Sequence, residues 1–141
     1  KPILLVRHSK KILPYIIFFK TVKGKVSAVI YKVNCNNCDR FYIGETGRNL
    51  ETRIKEHKRD IVSCNPNNSL FVHSIETGRV LDLDSTIPVF ACNDLKTRRV
   101  LESSFIRRHS DKAINLNHGL VDIDLFSAEC LLKSIKGCYH W

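Results

Sequence analysis

Two cysteines separated by two residues, Cys35-Asn36-Asn37-Cys38, form the most specific chemical signal in the chain. Zinc takes four N or S ligands in a tetrahedron, and this knuckle spacing supplies half of such a set. A redox role for C-x-x-C goes with a thioredoxin-like strand-to-helix unit, and no such context follows here; two unpaired loop thiols are the plain alternative. A second group is cationic and acidic. Arg53 and His57 stand four apart, so on a helix they share one face and can reach the same phosphate, with the guanidinium suited to a bidentate clamp. Glu102 is the natural ligand for a single Mg²⁺, a hard ion that takes one or two carboxylates and keeps several waters. Tyr31 and Tyr42 add two hydroxyls on β-rich runs. Taken singly, a strand tyrosine is more often a cross-strand packing partner, a helix glutamate a solvated group, and a helix histidine a half-buried one.

The elements that must position these side chains can be read from periodicity and turn residues. Residues 26–33 (VSAVIYKV) are short and β-branched, and residues 40–44 (RFYIG) are a second β-rich run beyond a polar turn at 34–39. Together they predict an antiparallel hairpin whose enlarged loop carries both cysteines. Glu45-Thr46-Gly47 hands over to an amphipathic helix with Leu50, Ile54, His57 and Ile61 on one face. An Asn-Pro-Asn-Asn loop (65–68) offers an N-cap to a short helix over 69–76, which Gly78 stops. Residues 87–91 (IPVFA) predict a third strand that Pro88 pushes to a sheet edge, and residues 96–109 an Arg-rich third helix. The fold class is therefore α+β, a small three-stranded antiparallel sheet flanked by helices.

Composition bounds what such a fold can do. A chain of 141 residues is long enough for one core and not two, so the expected organisation is a linker or preceding-domain remnant (1–25), one domain (26–118) and a tail of unclear pattern (119–141). With 43% hydrophobic and 26% charged residues, global disorder and fibrous repeats are excluded. Lys and Arg exceed Asp and Glu to give +9, which favours polyanionic partners. Arg48, Lys55, Lys58 and Arg59, with Arg98, Arg99, Arg107 and Arg108, are the candidate phosphate-contacting surface, some of them simply solvated. Of six cysteines only the 35/38 pair is close in sequence, and no secretory signal precedes it. The apolar run 12–19 contains Pro14 and is too short for the roughly 20 residues of a membrane span, so it reads as a buried strand or linker. The chain starts at Lys1 and has no Met, which reads as a fragment of a larger polypeptide.

Val29-Ile30-Tyr31, Tyr42-Ile43-Gly44, Gly47-Arg48-Asn49-Leu50, Arg53, Glu102 and an Asn-containing turn at 114–117 follow one another in order. This succession resembles the GIY-YIG nucleases, with Val29 where Gly is usual. The similarity is greatest to the endonuclease domain of Penelope-like retroelements, whose run YK-x-x-C-x-x-C-x-x-x-YIG-x-TGR-x-L-x-x-R-x-x-EH is matched from Tyr31 to His57. It covers residues 26–117 and leaves both outer segments unmatched.

The resemblance implies a metal-dependent DNA endonuclease that nicks one strand to prime target-primed reverse transcription. Cleaving the phosphodiester needs an activated water, a cation for the phosphorane and help for the leaving oxygen. By resemblance Tyr31, with His57 or alone, is the general base; Tyr42 positions water and phosphate; Arg53 clamps the phosphate; Glu102 holds Mg²⁺ (or Mn²⁺). Asn115 supports the active-site end, with Asn117 as the alternative register. Histidines complete the cysteine pair in that family, and His73 stands where one is expected. The second falls at Arg79, which leaves the fourth position to His57, Cys64 or water, or leaves the pair without zinc. The expected partners are DNA and a reverse transcriptase domain on the parent polypeptide, with nuclear localisation and no membrane. Two other functions follow from the same fold: a catalytically decayed DNA-binding module, and a repair-type GIY-YIG nuclease, which the cysteine pair within the hairpin disfavours.

Overall fold

The run SAVIYKVN is rich in β-branched residues and free of Pro and Gly. In the computed structural model, which describes residues 26–117, it forms strand β1 (Ser27–Asn34). Strand β2 (Phe41–Asn49) pairs antiparallel with β1, placing Gly44 opposite Tyr31 and Tyr42 opposite Val33. Strand β3 (Ile87–Ala91) pairs antiparallel along the other side of β1, so the order is β2-β1-β3 and Pro88 lies on an edge strand, where its missing N–H is tolerated. β1, central and covered on both faces, buries Val29, Ile30, Tyr31 and Val33 completely.

The second strand runs farther than residues 40–44. Its pairing continues to Asn49 opposite Ser27, past an irregularity between Ser27 and Val29 where Ala28 takes a left-handed φ of 52°. The helix expected to open at Gly47 accordingly starts three residues later, as α1 (Leu50–Val62), with the Asn49 side chain accepting from the Glu51 N–H. Helix α2 (Ser69–Thr77) is capped by Asn68 and closed by Gly78 at φ 66°. Helix α3 (Leu95–Arg108) starts on Asp94, whose carboxylate accepts from the Thr97 N–H.

Two cores follow from the alternation of the strands. Val29, Tyr31 and Val33 pack with Leu50, Ile54 and Leu70 beneath α1 and α2, whereas Ile30, Phe41 and Ile43 pack with Leu101, Phe105 and Ile106 of α3. The outer edge of β2 is closed by the segment after α3. The Phe41 N–H donates to the Lys112 carbonyl at 3.1 Å, and the Ile114 N–H returns a bond to the Phe41 carbonyl at 2.9 Å. Among the described residues no helix is long and apolar enough to cross a membrane. The apolar run 12–19 and the tail beyond 117 lie outside the described residues.

Gly44 is where the sheet meets the site. A Cβ there would sit 2.5 Å from both Cζ and Oη of Tyr31, so only glycine lets the ring lie across the neighbouring strand. Gly44→Ala should cost about 1–3 kcal/mol of stability, the usual range for overpacking a filled core. Equilibrium denaturation checks this, and a variant as stable as wild type would contradict the close approach.

Candidate active site

The Tyr31 hydroxyl, carried by the central strand into the core under α1, cannot be left without partners. It lies 2.7 Å from Nε2 of His57, one of the buried residues of α1. The other ring nitrogen of His57, Nδ1, lies 3.2 Å from Nδ2 of Asn68, and the same amide nitrogen donates to Oδ2 of Asp60 at 3.0 Å. Burial and then the nearby Arg53 charge push the His57 pKa down to about 4, so the imidazole is neutral near pH 7. Burial and then Tyr42 raise the Tyr31 pKa well above that of a free phenol, against the pull of the Arg53 charge.

Tyr42 stands beside Tyr31 with ring centroids 6.1 Å apart. Arg53 is near enough that its charge favours the anionic form of either hydroxyl. Its guanidinium is held from the other side by Glu56, at 2.9 Å, and Glu56 also pairs with Arg48 at 2.6 Å. Tyr42, Arg53, His57, Glu102 and Asn115 line one cavity of about 240 Å³; Tyr31 lies behind Tyr42. Asn115 reaches that cavity as part of the sheet edge. Its Oδ1 accepts from the Ile43 N–H at 3.1 Å and its Nδ2 donates to the Ile43 carbonyl at 2.6 Å, which fixes the backbone between Tyr42 and Gly44. Asn117 lines the same cavity without this two-point contact. All six residues expected to act together are thus brought together.

Glu102 enters from α3 and is mostly buried. Burial, and then the neighbouring Glu45 carboxylate, raise its pKa to about 7, opposed by a hydrogen bond from the Glu45 backbone and by Arg53 and Arg99. A carboxylate facing a polar cavity, with its charged form incompletely compensated, fits a hard divalent cation, which would take oxygen ligands and supply the missing positive charge.

A separate cluster lies at the hairpin tip. Nε2 of His73 is 3.5 Å from Sγ of Cys35 and 3.8 Å from Sγ of Cys38, and the three ligand atoms all lie within 4.8 Å of one another. Ligand-to-ligand separations of roughly 3.5–3.8 Å are what a tetrahedral zinc with these bond lengths requires, so the set fits the ion. His57 is committed to Tyr31 and Asn68, and Cys64 is exposed just beyond α1, outside this group. Neither is the fourth ligand here. At Cys38 desolvation is outweighed by the Arg40 backbone, Cys35 and then the Arg79 charge, which together lower that thiol's pKa.

The basic residues divide. Arg98 does not belong to a phosphate-contacting surface: it is 4% exposed, donates from Nε to Glu45 at 2.6 Å and from Nη1 to the Cys92 carbonyl at 2.9 Å, and so ties β2, β3 and α3 together. Residue type and helical periodicity could not separate it from its exposed neighbour Arg99. Lys55 and Lys58 line a different groove from the cavity and pair with Glu51 and Asp84, while Arg48 and Arg59 are exposed. Sequence reasoning assigned no role at the site to Glu45, Glu56, Asp60 or Asn68. Glu56 stood only within the matched run, and Asn68 only as a helix cap.

Glu102 and His57 tilt stability in opposite directions with pH. Glu102 holds its proton in the fold up to about 7 but loses it near 4.5 when unfolded, so its contribution is complete below about 4.5 and disappears as pH rises through 7. His57 stays neutral in the fold, so its contribution disappears as pH falls from about 6.5 through about 4. Without added metal, Glu102→Gln should therefore melt above wild type at about pH 8, and the gap should close near pH 4.5. Calorimetry across that range checks it; a gap independent of pH would contradict the buried, compressed carboxylate.

No curated protein and no solved structure matches the chain significantly. The family model of the GIY-YIG catalytic domain matches residues 27–115, more than half of the chain, and spans every cavity residue from the tyrosine of β1 to Asn115. The three-stranded antiparallel sheet with flanking helices is consistent with that domain, and the chain belongs to the GIY-YIG family of nucleases.

Proposed function

We propose that the chain is a divalent-metal-dependent DNA endonuclease that nicks one strand, and that the nick supplies the 3′ end for reverse transcription in a Penelope-like retroelement. The observation that carries the first part is the convergence of Tyr42, Arg53 and Glu102 on one polar cavity, with Tyr31 immediately behind. Glu102 would hold Mg²⁺ or Mn²⁺, which supplies positive charge to the phosphate and the departing oxygen. Arg53, anchored by Glu56, binds the scissile phosphate and stabilises charge that grows on it. Tyr42 presents its hydroxyl to the attacking water. Once Tyr31 has released its own proton through Tyr42 to solvent, the water's proton passes to Tyr42 as Tyr42's proton passes to the Tyr31 phenolate, the terminal base; burial disfavours that anion and Arg53 partly offsets the cost. Asn115 keeps Tyr42 in register through Ile43.

The retroelement reading is supported by the cysteine pair in the β1–β2 connection, joined by His73 as the resemblance expects. On that reading a reverse transcriptase domain shares the parent polypeptide, and the site of action is nuclear DNA. The exposed cations around α1, chiefly Arg48 and Arg59 with Lys55 and Lys58, contact phosphates away from the cleaved bond.

A supercoiled-plasmid nicking assay with Mg²⁺ and with EDTA tests the activity. Glu102→Ala should abolish nicking while leaving DNA binding nearly intact, and Arg53→Ala should slow it about 10²–10³-fold. A fully active Glu102→Ala protein would remove the carboxylate from the mechanism; a wild type that binds DNA without nicking it would identify a decayed binding module.

Zinc is tested separately. Protein purified without added metal should carry about one zinc per chain, the stoichiometry of a single tetrahedral site, and Cys35→Ser should lower both zinc content and melting temperature. Zinc far below that ratio, with wild type and variant melting alike, would leave Cys35 and Cys38 as ordinary thiols.

A further inference from the structure

Asn68 is bound on every polar atom of its side chain. Oδ1 accepts the backbone N–H groups of Leu70 and Phe71 at 2.9 and 3.3 Å, capping α2. Nδ2 spends one hydrogen on Oδ2 of Asp60 at 3.0 Å and faces Nδ1 of His57 at 3.2 Å with the other. The amide cannot be turned over. Its NH₂ group would then meet two backbone donors, and its oxygen would meet the Asp60 carboxylate, whose pKa is lowered chiefly by the Asn68 bond. The orientation of Asn68 is therefore decided by contacts that do not involve His57 at all.

A nitrogen that faces an amide N–H must offer a lone pair. His57 is 2% exposed and neutral, so if Nδ1 accepts, the one ring hydrogen sits on Nε2, and Nε2 faces the Tyr31 oxygen at 2.7 Å. We infer that Asn68, locked by Asp60 and the α2 backbone, is a positioning residue that holds His57 as the Nε2–H tautomer, so that His57 donates to Tyr31 and does not take its proton. The inference rests on the nuclease reading only for its consequence in catalysis.

That consequence is a direction for the proton. The Tyr31 oxygen faces the His57 Nε2–H at 2.7 Å, so that side of it is met by a donor. The ring of Tyr42 stands beside it, with centroids 6.1 Å apart, and lines the cavity. Proton exchange between Tyr31 and its described surroundings therefore runs along the Tyr31–Tyr42 link, toward or from the substrate water. The Arg53 charge favours the phenolate, and the route from Tyr31 through His57 is closed. A carboxylate can set a histidine tautomer by accepting from its second nitrogen; here the sign is reversed, because Asp60 acts through an amide that donates to that nitrogen.

Exchanging the two outer groups tests this without changing net charge. In the double variant Asp60→Asn with Asn68→Asp, the carboxylate at position 68 still caps α2, since Asp and Asn are equally good N-caps, but it now accepts from Nδ1–H. Long-range ¹⁵N–¹H correlation spectra of the histidine rings read the tautomer directly, with assignment by a His57→Gln control. Wild type should show His57 protonated on Nε2 near pH 7, and the exchanged variant should show it on Nδ1. Nicking kcat should fall about 10–100-fold in the exchanged variant with KM for DNA unchanged, the pattern of a group that acts in the chemical step and not in binding. Wild-type His57 carrying its proton on Nδ1 would overturn the inference, and needs no variant to fold. An exchanged variant with inverted tautomer and undiminished kcat would overturn the positioning role. A wild type that nicks no DNA would remove the nuclease reading, while the spectrum would still decide the tautomer.

Discussion

Everything at this site depends on one buried hydroxyl. Tyr31 lies on the central strand, wholly out of solvent, and a phenol placed there must find hydrogen bonds or cost roughly 1–3 kcal/mol. Room for its ring exists because residue 44 on the paired strand has no Cβ. Its hydrogen bond comes from α1, through His57, with the Arg53 charge nearby and the Tyr42 ring of β2 beside it. The register of the hairpin and the rotation of α1 are thus coupled to one polar atom. A one-residue slip of β2 would turn Tyr42 to the opposite face and bring a side chain against the Tyr31 ring.

Around this hydroxyl most of the buried charges are paired, and one carboxylate is not. Glu56 anchors Arg53, and Arg98 neutralises Glu45 in a pair with less than a fifth of either side chain exposed. Arg98 cannot be removed alone without stranding Glu45, which is why a basic residue sits in the core of a helix otherwise lined by Leu101, Phe105 and Ile106. Glu102 forms no such close ion pair among the described residues. Its pKa is raised by burial and then by the Glu45 carboxylate, against the pull of Arg53 and Arg99.

Helix α2 links the two functional regions of the domain. Its N-cap, Asn68, holds His57 of α1, and His73, five residues on, meets Cys35 and Cys38 at the hairpin tip. A metal at the cysteines would fasten α2 to the β1–β2 connection, and the same rigid helix would carry Asn68 to His57. Stability at one end therefore supports geometry at the other, although the two clusters share no residue.

The fold class, the hairpin, the three helices, the edge position of β3 and the capping of α2 were legible in the sequence, because each depends on local periodicity or on turn and cap chemistry within a few residues. The order of Tyr31, Tyr42, Arg53, His57, Glu102 and Asn115 along the chain, which resembles one family, was legible too; that five of them line one cavity is what the structure adds. What the sequence could not show was decided by contacts across long separations. The length of β2 depended on pairing with Ser27, 22 residues earlier. Arg98 differed from Arg99 because it is buried and bonds Glu45, 53 residues away, at 2.6 Å, whereas the exposed Arg99 reaches the same carboxylate only at 3.9 Å. Asn68 was visible as a helix cap, since its Oδ1 serves its own helix; that its Nδ2 would meet His57 and Asp60 required α1 and α2 to pack, and a side chain with two ends shows the sequence only the end that acts locally.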